Sequence, residues 1–182
     1  MKAQYKVEQI MTEETKAVVS VVMGSDSDYP VMENAVTTLR DFSIPCEVIL
    51  TSAHRSPDRT ATFAQKAAGR GIKVIIVGAG MAAHLAGVIA AQTSLPVFGV
   101  PIDSSSFFGL DALLSTVQMP GGVPVAAMSV GKAGAKNAAL MAVRILALTD
   151  DDLHERLDDY ITSLADNIEE KQKTIDEKSG NS

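Results

Sequence analysis

The chain has 182 residues, room for one domain or for one domain with an extension. Its 46% hydrophobic content supports a full core, and its 21% charged content is ordinary for a globular protein, which excludes global disorder. A formal charge of −6, 4% aromatic residues and no Trp argue against a nucleic-acid partner but leave room for one small anionic ligand.

Residues 1–16, MKAQYKVEQIMTEETK, read as a polar N-terminal tail without a secretory pattern. The single cysteine, Cys46, excludes an internal disulfide, and together these features lead us to expect a cytoplasmic setting. No apolar run approaches the roughly 20 residues needed to cross a bilayer, so no membrane partner is expected.

A single domain is expected over residues 17–170, followed by a polar, frayed tail over 171–182. Its first strand is AVVSVVMGS (17–25), and the first helix, DYPVMENAVTTLRDFS, carries Val31, Ala35, Leu39 and Phe42 on one face. Pro30 lies in that helix's first turn, where proline is tolerated. CEVILTS (46–52) is the second strand, and SPDRTATFAQKAAGRG begins Ser-Pro and ends in glycine, the start and stop of a helix. KVIIVGAG (73–80), LPVFGVP (95–101) and PVAAMSVG (124–131) read as three further strands, with MAAHLAGVIAAQTS and GLDALLSTVQM as the helices between them. Most strand cores are nearly continuously apolar, as parallel strands covered on both faces should be. The alternation predicts an α/β doubly wound, flavodoxin-like sandwich with a five-stranded parallel sheet in the order 2-1-3-4-5.

After Gly131 the stretch from Ala138 to Leu148 has Arg144 as its only polar residue. A helix apolar on nearly every side is expected to be buried all round, here against another subunit. Leu153, Leu157, Ile161, Leu164 and Ile168 form one narrow stripe on an extended C-terminal helix, suited to lying on a neighbour.

Ligands of such sheets bind outside the carboxyl ends of the strands, where the strand order reverses. The loops GSDSD, SAHRSP and GAGMAAH leave strands 1, 2 and 3 and should converge there. In the first, free amides and the hydroxyls of Ser25 and Ser27 suit a phosphate, while Asp28 suits ribose hydroxyls; plain helix capping by Ser27 or Asp28 is the alternative. In the second, Arg55 is a planar anion partner and His54 a proton carrier near neutrality. In the third, glycines at 78, 80 and 87 do not fit the dinucleotide fingerprint, but small residues let a ligand approach the backbone. His84 is open between a structural and a ligand-facing role, and His154 reads as solvated. QMPGGVPV (118–125) is a turn before the fifth strand, with a neighbour's pocket as the alternative. Lone Cys46 does not suggest thiol catalysis, and three scattered histidines form no zinc signature.

MGSDSD, TSAHRSP, GAGMAAHLAG, LPVFGVP, GLDALLSTVQMPGGVPVA and GAKNAALMAVRIL, in this order, resemble the N5-carboxyaminoimidazole ribonucleotide mutase (class I PurE) family from about Ala17 to Leu164. The resemblance implies a homo-octamer. It also implies conversion of N5-carboxyaminoimidazole ribonucleotide to 4-carboxy-5-aminoimidazole ribonucleotide without metal or organic cofactor. It places the family's catalytic histidine on His54 and its nucleotide-binding residues on Ser25, Asp28 and Arg55. By position Ser27, Ser52, Ala53 and His84 also face the ligand, and Gly80 and Ala82 line a carboxylate pocket. A related branch of carboxylases that use free carbon dioxide tends to carry Lys after the histidine, so Arg55 favours the mutase branch. Met81 and Ala86 depart from a common form of the family motif, GAGGAAHLPG. Rival readings are the carbon dioxide-dependent carboxylase and a non-catalytic flavodoxin-like module for a phosphorylated ligand.

Overall fold

The structure is a computed structural model and describes residues 16–180. The expected tail over 1–16 lies outside the described residues apart from Lys16. Five parallel strands, β1 (Val19–Met23), β2 (Cys46–Leu50), β3 (Val74–Gly80), β4 (Val97–Ile102) and β5 (Ala126–Ala127), form one sheet in the order β2-β1-β3-β4-β5. Six helices follow the chain as α1 (Tyr29–Asp41), α2 (Pro57–Ala67), α3 (Leu85–Ala90), α4 (Leu110–Val117), α5 (Lys132–Leu146) and α6 (Asp151–Ser179). The expected three-layer α/β architecture and strand order are both present.

Side-chain alternation along the strands divides the core in two. Val19, Val21 and Met23 of β1, with Val74 and Ile76 of β3, pack against α1, α5 and the start of α6. Val22, Ile75 and Val77 point to the opposite face, toward α2, α3 and α4. The central strands are therefore apolar on successive residues because both faces are covered. Gly78 seats α1 on the sheet, since a Cβ there would collide with the Met32 side chain.

Several expectations need correction. On β2, Val48 and Leu50 are exposed, so this edge strand is covered on one face only. The fifth strand is two residues long rather than eight. Beyond it the chain still follows β4, with Met128 N–H donating to Gly99 O at 2.8 Å and Gly131 N–H to Pro101 O at 2.9 Å. Helix α3 begins at Leu85, not Met81, because the preceding residues form the turn that leaves β3. The expectation for α5 stands apart, because it invoked another subunit: the described residues cover one face of it. Its small face, Gly134, Ala135, Ala138, Ala139 and Ala142, packs inward, while Met141 on the helix and Leu148 just beyond it are exposed. Finally, α6 does not fray near Lys171 but continues to Ser179, where Gly180 ends it with a left-handed φ of 70°. Of its apolar stripe, Leu153 and Leu157 are buried and Ile161, Leu164 and Ile168 are exposed.

Candidate active site

Three strand exits meet at the carboxyl rim of β1, β2 and β3. The first leaves β1 at Gly24 and makes a tight turn over Asp26–Asp28 before α1. Ser25, in an extended conformation, caps this turn: its Oγ accepts from Ser27 N–H at 3.3 Å, and its own N–H donates to Asp28 Oδ2 at 3.0 Å. This reciprocal arrangement is a capping box. Ser25 thus caps the turn; Asp28 stands at the N-cap position of α1 but gives that helix no side-chain capping bond, and is only 5% exposed. Burial pushes the Asp28 carboxyl pKa up, against the opposing pull of the Ser25 and Gly24 amides and of the Arg55 charge.

The second exit is pinned from below. Thr51 N–H donates to Met23 O at 3.0 Å, and the Thr51 and Thr60 hydroxyls share a buried hydrogen bond of 2.9 Å. Ser52 N–H donates to Ser56 Oγ at 2.9 Å, and Arg55 N–H donates to Ser52 Oγ at 3.2 Å. Arg55 Nη2 then donates to Gly24 O at 2.9 Å, tying the second loop to the first. A polar loop held by its own side chains is preorganised, so its shape need not be assembled when a ligand arrives.

The third exit brings the two histidines together. His84 N–H donates to Ala82 O at 2.8 Å, closing the turn that follows β3. His84 Nδ1 and His54 Nε2 lie 2.8 Å apart with the rings nearly perpendicular, at 82°. A bond of that length needs one donor and one acceptor, so one of the facing nitrogens carries hydrogen and the other does not. His84, open in the sequence, is joined to His54 across 30 positions of chain.

These exits enclose a cavity of about 510 Å³. Every candidate residue lines it: Ser25, Ser27 and Asp28 from the first exit, Ser52, Ala53, His54 and Arg55 from the second, and Gly80, Ala82 and His84 from the third. The volume is that of a small-molecule site. Five further residues complete the wall: Gly24, Ala79, Met81, Leu85 and Ser104. Four belong to motifs already singled out. Ser104 comes from the polar run after β4, whose position at the same rim was the available signal. A Cβ at Gly80 would meet Ser104 Oγ and force that side chain to turn away. His154 stands apart on α6, 3.6 Å from Asp158. Among the described residues no group of three or more His, Cys, Asp or Glu side chains is placed to hold a metal ion, and no helix is long and apolar enough to cross a membrane.

Known proteins share both the sequence and the shape. A model of the family described as AIR carboxylase matches residues 18–167. The N5-carboxyaminoimidazole ribonucleotide mutase of Pyrococcus horikoshii is 51% identical over 89% of this chain and 90% of its own length. That of Bacillus subtilis is 54% identical over 78% of this chain and 87% of its own. The crystal structure of Treponema denticola PurE superimposes with a TM-score of 0.78 at 29% identity, covering 86% of this chain and 96% of that one. With the sheet order, the rim cavity and a match over most of its length, this chain belongs to the AIR carboxylase family.

Proposed function

We propose that this chain is an isomerase of purine biosynthesis that interconverts N5-carboxyaminoimidazole ribonucleotide and 4-carboxy-5-aminoimidazole ribonucleotide. The observation that carries this reading is the single rim cavity in which His54, hydrogen-bonded to His84, faces the anion- and sugar-binding side chains. Identity of 51% and 54% over 89% and 78% of the chain to proteins named as this mutase supports it.

The reaction balances within one substrate. The bond between the exocyclic nitrogen and the carboxylate carbon breaks, its electron pair stays on nitrogen, and carbon dioxide is released. The electron-rich ring carbon C4 attacks carbon dioxide to form the new carbon–carbon bond. C4 then loses its proton to restore aromaticity, and a proton returns to nitrogen. No net oxidation or hydrolysis occurs.

His54 takes the C4 proton and returns one to nitrogen, general acid–base help worth about 10²–10⁴ in rate. His84 is a positioning residue that fixes the orientation and hydrogen placement of the His54 ring. Ser25, Ser27 and Arg55 bind the phosphate, and Asp28 accepts from ribose hydroxyls. Ser52 and Ala53 shape the wall beside the histidine. Gly80 and Ala82 expose backbone to the migrating carboxylate. Binding through phosphate and ribose supplies much of the remaining rate by holding the reacting atoms in place. Arg55 directly after His54 favours the mutase over the carbon dioxide-dependent carboxylase.

Cytoplasmic location goes with this role and is testable by cell fractionation. A homo-oligomer, an octamer by resemblance, is supported by exposed apolar side chains on and beside α4, namely Phe107, Phe108, Leu110, Leu114 and Val117.

The test is isomerisation of the carboxyamino nucleotide by the purified chain without bicarbonate or ATP. Formation of the C-carboxylated product is expected. Product only from the aminoimidazole ribonucleotide plus carbon dioxide would assign the carboxylase reading, and no product with either substrate would leave a binding module.

A further inference from the structure

Among the described residues, three that are not glycine have a left-handed backbone: Ser43, Met81 and Phe108. Ser43 ends α1 and Phe108 precedes the turn into α4. Only Met81, with φ of 56°, lies in the cavity wall. Glycine would be at ease there and methionine is not. Strained residues that persist at a site are a reason to ask what their side chains do.

The remaining wall narrows the answer. Met81 and Leu85 are its only large apolar side chains. Leu85 is core, only 3% exposed, and cannot move freely. Met81 is 61% exposed, so its side chain stands at the lip of the cavity with room to swing. Methionine is unbranched and polarisable, suited to fitting over an irregular or aromatic surface. Three residues further on, His84 N–H closes the turn onto Ala82 O, and the turn delivers His84 to His54. The lip and His84 therefore sit on one short turn, which meets His54 across the cavity.

We propose that Met81 is the retaining side chain of the site, which folds over the bound imidazole and confines the carbon dioxide released midway through the reaction. This role rests on the isomerase reading above. The polar wall can hold a carboxylate before and after transfer, because a carboxylate is charged. Carbon dioxide is neutral once the carbon–nitrogen bond has broken, and no ion pair can hold it. It stays only if the space is closed. If it escapes, C4 keeps its hydrogen and the decarboxylated aminoimidazole ribonucleotide leaves instead of product. An apolar cover also removes water from the reacting atoms.

The test compares Met81→Gly, Met81→Ala and Met81→Leu with the unaltered chain. Each is given the carboxyamino nucleotide, and the decarboxylated ribonucleotide is counted against the C-carboxylated product after subtraction of breakdown without enzyme. Met81→Gly is expected to melt no lower than the unaltered chain, because glycine suits the backbone, yet to raise KM about five- to tenfold. The decarboxylated fraction rises several-fold in both Met81→Gly and Met81→Ala, and Met81→Leu restores retention and KM. A merely structural role would move melting temperature and leave the partition alone. Unchanged partition and KM in both truncations would overturn the assignment. Failure of the unaltered chain to isomerise would instead overturn the isomerase reading, so the two failures are separable.

Discussion

The carboxyl rim of the sheet and the outer flanks of the molecule differ in how far one copy of the chain satisfies them. At the rim, polar groups already have partners: Ser25 with Asp28, Arg55 with Gly24, Ser52 with Ser56, and His54 with His84. On the flanks, large apolar side chains stay exposed among the described residues: Val48 and Leu50 on β2, Phe107, Phe108, Leu110, Leu114 and Val117 on and beside α4, and Ile161, Leu164 and Ile168 on α6. Hydrogen bonds are short and directional, so a local loop can complete them. Apolar surface is satisfied only by area, and one chain of this size runs out of area to cover it with. The rim's shape is therefore held by hydrogen bonds among the described residues, while the flanks leave apolar surface exposed.

The largest expected effect breaks the rim side of the comparison. His54→Asn should lower turnover by about 10²–10⁴ while nucleotide binding and melting temperature stay close to normal. Steady-state kinetics with a binding titration checks this, and near-normal turnover would remove the histidine from the chemistry. Next comes the flank. Leu110→Glu with Leu114→Glu should split the proposed oligomer, since each carboxylate buried in an apolar contact costs ~2 kcal/mol or more. Light scattering reads the mass, and far-UV circular dichroism should show the fold retained. If the unaltered chain already has the mass of one copy, the flank is not a subunit contact.

Asp28→Asn sharpens the comparison from within the rim. Loss of the charge should weaken nucleotide affinity about 10- to 100-fold, the range for a hydrogen bond to a charged group. Stability should move the other way. Burial raises the Asp28 pKa above its ordinary 3.8, so its favourable contribution is present below that value and is lost as pH rises through the folded value. The asparagine variant escapes that loss and should melt higher at pH 7, with the gain vanishing toward pH 3. Equal melting at both pH values would show that burial of the carboxylate costs the fold nothing.

The smallest effect lies at the opposite end of the sheet. Glu47 accepts two hydrogen bonds of 2.7 Å from Arg70 and one of 2.6 Å from Ser20. Arg70 chiefly holds its carboxyl below the ordinary 4.5. Stability from this pair is present above that value and is lost as pH falls through the lowered folded value. Glu47→Gln should cost about 0.5 kcal/mol near neutrality and less in acid, with kinetics unchanged. Denaturant titration at two pH values measures it.

Much of this protein follows from residues close together in the chain. The runs VSVV, VIIVGAG and VFGV specify buried parallel strands because continuous apolar sequence needs cover on both faces. Polar, small and glycine-rich exits from the first three strands mark the rim, which is why Ser25, Asp28, His54 and Arg55 were legible as one site. What tertiary structure alone decided depends on distance through space. It joined His54 to His84, added Ser104 through its close approach to Gly80, placed Met81 in a left-handed turn at the lip, and left Val48 and Leu50 of β2 and the far half of α6 exposed among the described residues. Periodicity reports which face of an element is apolar. It does not report whether the fold supplies anything to cover that face, because the covering residues come from elsewhere in the chain or from outside it.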